Sequence, residues 1–242
     1  MQYQLKEYVV AFVDILGSSK KIQTDCEGSL NIIHTVYDNA LITCEQLYDN
    51  EIISPLKPIV KIYSDNIVIA VPTDKNGTYG AFYSVVVFCG LIQREFLKHK
   101  YLIRGGIAVG DFFVDQTMIW GNAHLNAYYI ESNVAIYPRI VIHPDTVVKL
   151  ELAVNQSRQK WIKQDTDGLF FIDYMNKLAF ANQSDYLSTI LYRINEGAGL
   201  FLKADDDVKT QQKLHWHNTY LFSVLEQYAP DKIASLREEL KI

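Results

Sequence analysis

Tyr8–Leu16, read as Y-V-V-A-F-V-D-I-L, constrains the fold more than any other stretch of the chain. The run is β-branched and aromatic, the pattern of a buried strand. One acid, Asp14, interrupts it between Val13 and Ile15. A carboxylate left unpaired among such neighbours would cost several kcal/mol, so Asp14 must face a cation or take up a proton.

The patterns that follow set the architecture. Apolar positions at helical spacing run from about Ser29 to Leu47. Ile59–Tyr63 and Ile67–Val71 read as two strands joined at Ser64-Asp65-Asn66, a hairpin turn. Tyr79–Leu97 is a largely apolar helix, Tyr101–Val109 a strand of glycines and apolars, and Phe112–Trp120 its continuation. A short helix over Ala123–Glu131, a strand over Pro138–Ile142, a helix from Thr146 to about Leu152 capped by Pro144-Asp145, and a strand over Leu169–Tyr174 come next. From Ser184 the pattern turns helical, with breaks at Gly197–Gly199 and Asp205–Asp207. The order predicts an α+β fold, a ferredoxin-like β-α-β-β-α-β core with additional C-terminal helices. Both core helices lie on one sheet face, so the C-terminal helices or a second subunit are expected to cover the other.

At 242 residues the chain has the length of one domain, or of one domain with an extension. A hydrophobic content of 49% supplies a full core. Lys and Arg number 23 against 28 Asp and Glu, a net charge of −5, which argues against a duplex-binding face. Cys26, Cys44 and Cys89 are odd in number and sit in apolar contexts, as expected of reduced thiols in a cytoplasmic protein. The N-terminal M-Q-Y-Q-L-K-E-Y lacks the form of a signal peptide, and no uninterrupted apolar run reaches the ~20 residues that cross a bilayer. Neither nucleic acid nor membrane is an expected partner.

A few residues could carry chemistry. Asp14 and Asp65, on neighbouring strands, could share hard divalent cations, with water and phosphate oxygens filling the remaining positions; the alternative for Asp65 is a strand-end turn cap. Lys61, Tyr63 and Asp65 alternate, so an extended Ile59–Asp65 would put all three on one sheet face, unless that face is the solvated side of an edge hairpin. Arg104 opens R-G-G-I-A-V-G, where Gly105, Gly106 and Gly110 leave room for a ligand or another backbone. Its guanidinium could clamp phosphate oxygens or pair with a nearby carboxylate. Arg139 is expected to pair with Glu131. His215 and His217, around Trp216, lack a third ligand at sensible spacing and read as an ordinary polar helix face.

Taken in order, four segments resemble the motifs of class III nucleotide cyclases over roughly Tyr8 to Ser132. A-F-V-D-I-L-G-S-S (11–19) resembles the first metal motif and K-I-Y-S-D-N-I-V-I-A (61–70) the second. I-R-G-G-I-A-V-G (103–110) is similar to the strand whose Arg holds the triphosphate, and W-G-N-A-H-L-N-A-Y-Y-I-E-S (120–132) to the motif on the next helix. Cyclases acting on ATP or GTP usually carry Asn and Arg four residues apart on that helix; here Leu125 and Tyr129 hold those positions, with Asn126 one residue off. Ser64 replaces a usual Gly. These departures, with A-Y-Y-I-E-S and Y-P-R-I-V-I, resemble the Pycsar pyrimidine cyclase branch, bacterial antiphage enzymes that make cyclic UMP or cyclic CMP for a separately encoded effector.

The resemblance implies a cyclase domain over residues 1–180 and a helical extension over 181–242 packed on it. It implies a cytoplasmic homodimer, a lyase converting UTP or CTP to the 3′,5′-cyclic nucleotide and pyrophosphate with two Mg²⁺ or Mn²⁺ ions per site. Asp14, Asp65 and the Ile15 carbonyl would hold the metals. Arg104 would grip the triphosphate, and Lys61 and Tyr63, from the partner subunit, would line the base pocket with Tyr129. The rival readings are a purine cyclase and a catalytically inactive cyclase-fold nucleotide sensor.

Overall fold

The computed structural model describes residues 4–49, 57–75, 77–154, 161–175 and 207–228, with Pro230 and Ile233. The Tyr8–Leu16 run becomes β1 (Lys6–Ile15), flanked on both edges: by β3 (Asn66–Pro72) and by β4 (Ile103–Val114), both antiparallel. With β2 (Ile59–Tyr63) the order β2-β3-β1-β4 is that of the expected plait, and the fold is α+β. Beyond the plait the sheet continues through β6 (Ile140–Ile142), parallel to β4, then β8 (Phe170–Ile172) and β7 (Ile162–Gln164), both added antiparallel. Three residues are too few for the strand period of β7 to stand out in the sequence.

Two long helices, α2 (Cys26–Asp49) and α3 (Gly77–Lys98), pack on each other, and α3 lies against β1 and β3. By length and mean apolar composition alone α3 could cross a membrane, although its apolar run is interrupted by Ser84, Gln93, Arg94 and Glu95; 89% of that window is buried within the chain, as in a core helix. Helix α2 starts at Cys26 rather than near Ser29, because the Asp25 carboxylate accepts the Gly28 N–H at 2.9 Å and caps it. A short α1 (Ser18–Thr24) precedes it, entered through Gly17 at φ 71°.

On the opposite face, an element of the same unit supplies cover that the expectation did not include. Strand β4 does not break at Gly110-Asp111 but runs to Val114, and after a turn in which Asp115 accepts the N–H groups of Thr117 and Met118, β5 (Ile119–Trp120) folds back on it. Helix α4 (Asn122–Tyr129) then lies across β4 and β1. Its Ala123 and Ala127 pack with Val10, Phe12, Val68, Ala70, Ala108 and Phe112 in one buried cluster. Over β1 and β4, then, the chain's own α4 covers this face. The close approach requires glycine: a Cβ at Gly106 would sit 2.2 Å from the Ala127 carbonyl oxygen, and one at Gly110 2.4 Å from Asn122 Oδ1. These glycines admit a helix rather than a phosphate.

Helix α5 (Pro144–Lys149) starts at the expected proline but stops short of Leu152, its N-terminus capped by His143 Nδ1 accepting the Asp145 N–H at 3.1 Å. The chain divides into two compact units, residues 1–174 and 175–242. In the second, α6 (Val208–Tyr228) carries Tyr220, whose hydroxyl accepts the Met175 N–H at 3.0 Å and whose ring stacks on Trp216. His217 is buried and only His215 is exposed, so the two do not form a polar face. The expected helical stretch and its breaks over residues 184–206, and the boundary at 180, lie outside the described residues.

Candidate active site

The register of the antiparallel strands builds the site. Tyr63 pairs with Asn66, Asn66 with Asp14, and Asp14 with Arg104, one row across four strands. Directly paired residues point to the same sheet face, so this row shares a face with the next one, Lys61–Val68–Phe12–Gly106. That is the α4 face. Strand spacing puts Tyr63 and Asp14 about 10 Å apart, two strands over.

Asp65 reaches this end of the sheet by a turn, not by strand alternation. β2 stops at Tyr63, and Ser64 takes φ +57°, a left-handed conformation that costs a non-glycine residue about 1–2 kcal/mol. The turn is fixed twice. The Ile15 N–H donates to the Asp65 carbonyl at 3.1 Å, and the buried Ser18 hydroxyl donates to Asp65 Oδ2. Asn66 Nδ2 adds a bond to Oδ1 at 3.3 Å.

Arg104 faces two acids. Its Nε lies 3.5 Å from Asp14 Oδ2 and its Nη2 2.7 Å from Glu131 Oε1. Glu131 belongs to a π-helical turn, Ile130–Val134, that continues α4 and turns the carboxylate inward, leaving its side chain 5% exposed. Close as it is, the Glu131 contact lacks hydrogen-bond alignment: Arg104 Nε and Glu131 Oε1 are both buried with no hydrogen-bond partner among the described residues. The expected pairing of Arg139 with Glu131 is therefore overturned. Arg139 pairs instead with Asp165 and Asp167, from the turn between β7 and β8, and lies over the rings of Tyr137 and Phe171.

The two aspartates differ electrostatically. Burial raises the Asp14 carboxyl above its usual range, and the charges of Glu131 and Asp65 push the same way against Arg104. The Ser18 hydroxyl holds Asp65 below its usual range. Asp14 thus feels two further carboxylates, Glu131 and Asp65, against one guanidinium, an excess of negative charge that a divalent cation would neutralise. The donors Asp14, Asp65 and the main chain at Ile15 are all oxygen, the set that suits Mg²⁺ or Mn²⁺. Among the described residues no three His, Cys, Asp or Glu side chains form a metal-holding group, so further ligands would have to be main chain, water or phosphate.

Of the residues singled out in the sequence, the fold brings Asp14, Ile15, Asp65 and Arg104 together. Lys61 and Tyr63 share their face from β2, Tyr63 with 43% of its surface exposed and its hydroxyl pushed up by burial of the rest. Tyr129 and Leu125 stand on the outer side of α4, 56% and 64% exposed. Beside Tyr129, Tyr128 turns its ring edge to Phe12. Sequence reasoning missed Ser18, Asn66 and Glu131 as members of the site.

No protein-family profile matches the chain, and no curated protein matches it. Solved structures do. The catalytic core of a rhodopsin-guanylyl cyclase with converted specificity, in complex with ATPαS, is 14% identical over 69% of this chain and 95% of that one, with a TM-score of 0.48. The guanylate cyclase domain of RhGC from Catenaria anguillulae, in complex with GTP, is 13% identical over 69% and 96%, with a TM-score of 0.45. An adenylate/guanylate cyclase/hydrolase from Silicibacter pomeroyi is 13% identical over 70% and 95%, with a TM-score of 0.43.

Proposed function

We propose that this chain is a divalent-metal-dependent nucleotide cyclase acting on a pyrimidine nucleoside triphosphate. The observation that carries the reading is the Asn66–Asp14–Arg104 row with Asp65 pinned at its end. These are the positions at which the sequence resembles class III cyclase motifs. In this reading Asp14, Asp65 and the Ile15 carbonyl hold two Mg²⁺ or Mn²⁺ ions, which would supply positive charge at the α-phosphate and ease deprotonation of the ribose 3′-hydroxyl. A bond forms between the 3′-oxygen and the α-phosphorus, the bond to pyrophosphate breaks, and the hydroxyl proton leaves to solvent. Arg104 orients the triphosphate. Lys61 and Tyr63, contributed by the second subunit of a homodimer, border the base with Tyr129, and two equivalent sites form across the two-fold.

A tyrosine at position 63 takes volume that a purine's second ring would need, and its hydroxyl can donate to a pyrimidine carbonyl. UTP offers two carbonyl acceptors on its base and CTP one, which favours UTP slightly. The sequence resemblance to the Pycsar branch supports reading the product, cyclic UMP or cyclic CMP, as a cytoplasmic signal to a separate effector in antiphage defence.

Incubating the purified protein with Mn²⁺ and each of the four nucleoside triphosphates, with products read by mass, tests the reading. Cyclic UMP or cyclic CMP is expected. Cyclic AMP or cyclic GMP alone would keep the cyclase and overturn the pyrimidine assignment. No cyclic product from any substrate would reduce the fold to a nucleotide sensor. Mixing inactive Asp65→Ala with inactive Lys61→Ala protein tests the shared site, because one site of the heterodimer carries neither change; exchange of subunits without returning activity would refute it.

A further inference from the structure

A buried acid in the π turn does something the row of strand residues cannot. Arg104 stands directly beside Asp14, with Nε 3.5 Å from Oδ2. A divalent ion at Asp14 and the guanidinium therefore compete for one carboxylate. Were Asp14 the only acid facing Arg104, expelling the guanidinium would leave a partly buried positive charge with no partner, a costly state. Glu131 removes that cost: its Oε1 lies 2.7 Å from Nη2, and its side chain is 5% exposed. The contact is not aligned as a hydrogen bond, and Glu131 Oε1 has no hydrogen-bond partner among the described residues, so the buried acid is left unsatisfied beside the guanidinium. Ser132 Oγ donates to Glu131 Oε2 at 2.8 Å, leaving Oε1 as the atom that faces Arg104.

We propose that Glu131 is a positioning residue for Arg104, the resident counter-ion that receives the guanidinium when a divalent cation takes Asp14. The guanidinium then rotates from a shared position to a full pairing with Glu131. Arg104 stays at the site, poised for an anionic substrate, instead of blocking the metal. The inference rests on the metal site of the proposed function and assigns that site a residue the strand motifs do not contain.

The test is a double-mutant cycle on Mn²⁺ binding without nucleotide, followed by loss of the free-ion electron paramagnetic resonance signal. Wild type, Glu131→Gln, Arg104→Gln and the double variant are compared. In Glu131→Gln the guanidinium can pair only with Asp14, and Mn²⁺ binding should weaken about tenfold. In the Arg104→Gln background the same change should have an effect several-fold smaller, because there is no guanidinium to receive. An equal loss in both backgrounds would show that Glu131 acts only through its own charge and would overturn the proposal. An unchanged affinity in folded Glu131→Gln would overturn it too. If that variant fails to fold, the double variant decides, since it carries neither charge of the buried pair. Mn²⁺ binding tighter than wild type supports competition by Arg104, and binding equal to or weaker than wild type refutes it. Wild-type protein that binds no Mn²⁺ would overturn the metal site itself, a different failure from an uncoupled Glu131.

Discussion

Two arginines enter neighbouring strands of one sheet and meet opposite fates. Arg139, just before β6, is 1% exposed, with Asp165 and Asp167 on its guanidinium and the rings of Tyr137 and Phe171 beside it. Arg104, on β4, is 24% exposed and shares its guanidinium between Asp14 and Glu131, whose Oε1 has no hydrogen-bond partner among the described residues. The Asp167 carboxyl is itself held below its usual range, against the cost of burial, by its bonds to Arg139 and to the Leu169 N–H. The Asp14 carboxyl is raised. A closed, hydrogen-bonded ion cluster fixes the β6–β8 end of the sheet. An open cluster with surplus negative charge leaves something for a ligand to complete.

The contrast can be broken most sharply at its chemical end. Asp14→Ala and Asp65→Ala should each lower cyclisation at least ~10³-fold while leaving the far-UV circular dichroism unchanged; near wild-type turnover in either would remove the two-metal site. At the structural end, Arg139→Met should cost about 3–5 kcal/mol in urea unfolding, since it strands two aspartates around a buried gap. Arg104→Met should cost less, about 1–3 kcal/mol, because Arg104 and Asp14 are partly solvated and Asp14, already raised by burial, can take up a proton once the guanidinium is gone. Equal losses for the two would erase the distinction. Between these lies Tyr63→Ala, expected to lower pyrimidine kcat/KM about tenfold and to admit some ATP or GTP. If both values stay unchanged, selectivity comes from elsewhere, the Tyr128–Tyr129 helix first.

The smallest effect concerns His124, on α4, whose ring packs on Phe12 and whose buried Nδ1 has no hydrogen-bond partner among the described residues. Burial lowers its pKa from the ordinary 6.5. The folded state therefore prefers the neutral ring, and the stability linked to it is complete above the ordinary value. It declines below that pH and is gone once the pH has fallen through the lowered folded value. His124→Phe should flatten this acid slope by less than ~1.4 kcal/mol per pH unit, measured by urea titration over pH 5–7. An unchanged slope would mean the ring charges freely in place.

The plait was legible because each of its elements keeps one period for long enough: β1, the hairpin, α3 and β4 all announce themselves in the chain. Asp14 was legible for the same reason, as one acid in an apolar run. What escaped depends on single residues in irregular backbone. Glu131 looks like one more polar position on a helix face; only the π turn directs it inward, and a π turn has no repeating pattern to read. Ser18 sits one residue past a left-handed glycine, where its hydroxyl meets a turn 47 positions away. Arg139 finds its acids 26 and 28 residues along the chain, in the turn beyond β7, a strand too short to foresee. Asp25 was the exception, a helix cap in plain view that would have moved the start of α2 to Cys26.

The seating of α4 on bare β4 backbone couples two properties that otherwise have no connection. A methyl group at position 106 would collide with the Ala127 carbonyl and with Ile130, and the helix would have to lift. Helix and π turn are continuous, with Glu131 at the buried end and Leu125 and Tyr129 on the outer flank. Any lineage that lost this glycine would have to re-seat the counter-ion of Arg104 and reshape its outer surface in the same step. Position 106 lies beneath the helix, against Ala127 and Ile130, and from there it limits how independently the interior chemistry and the exterior of this protein can evolve.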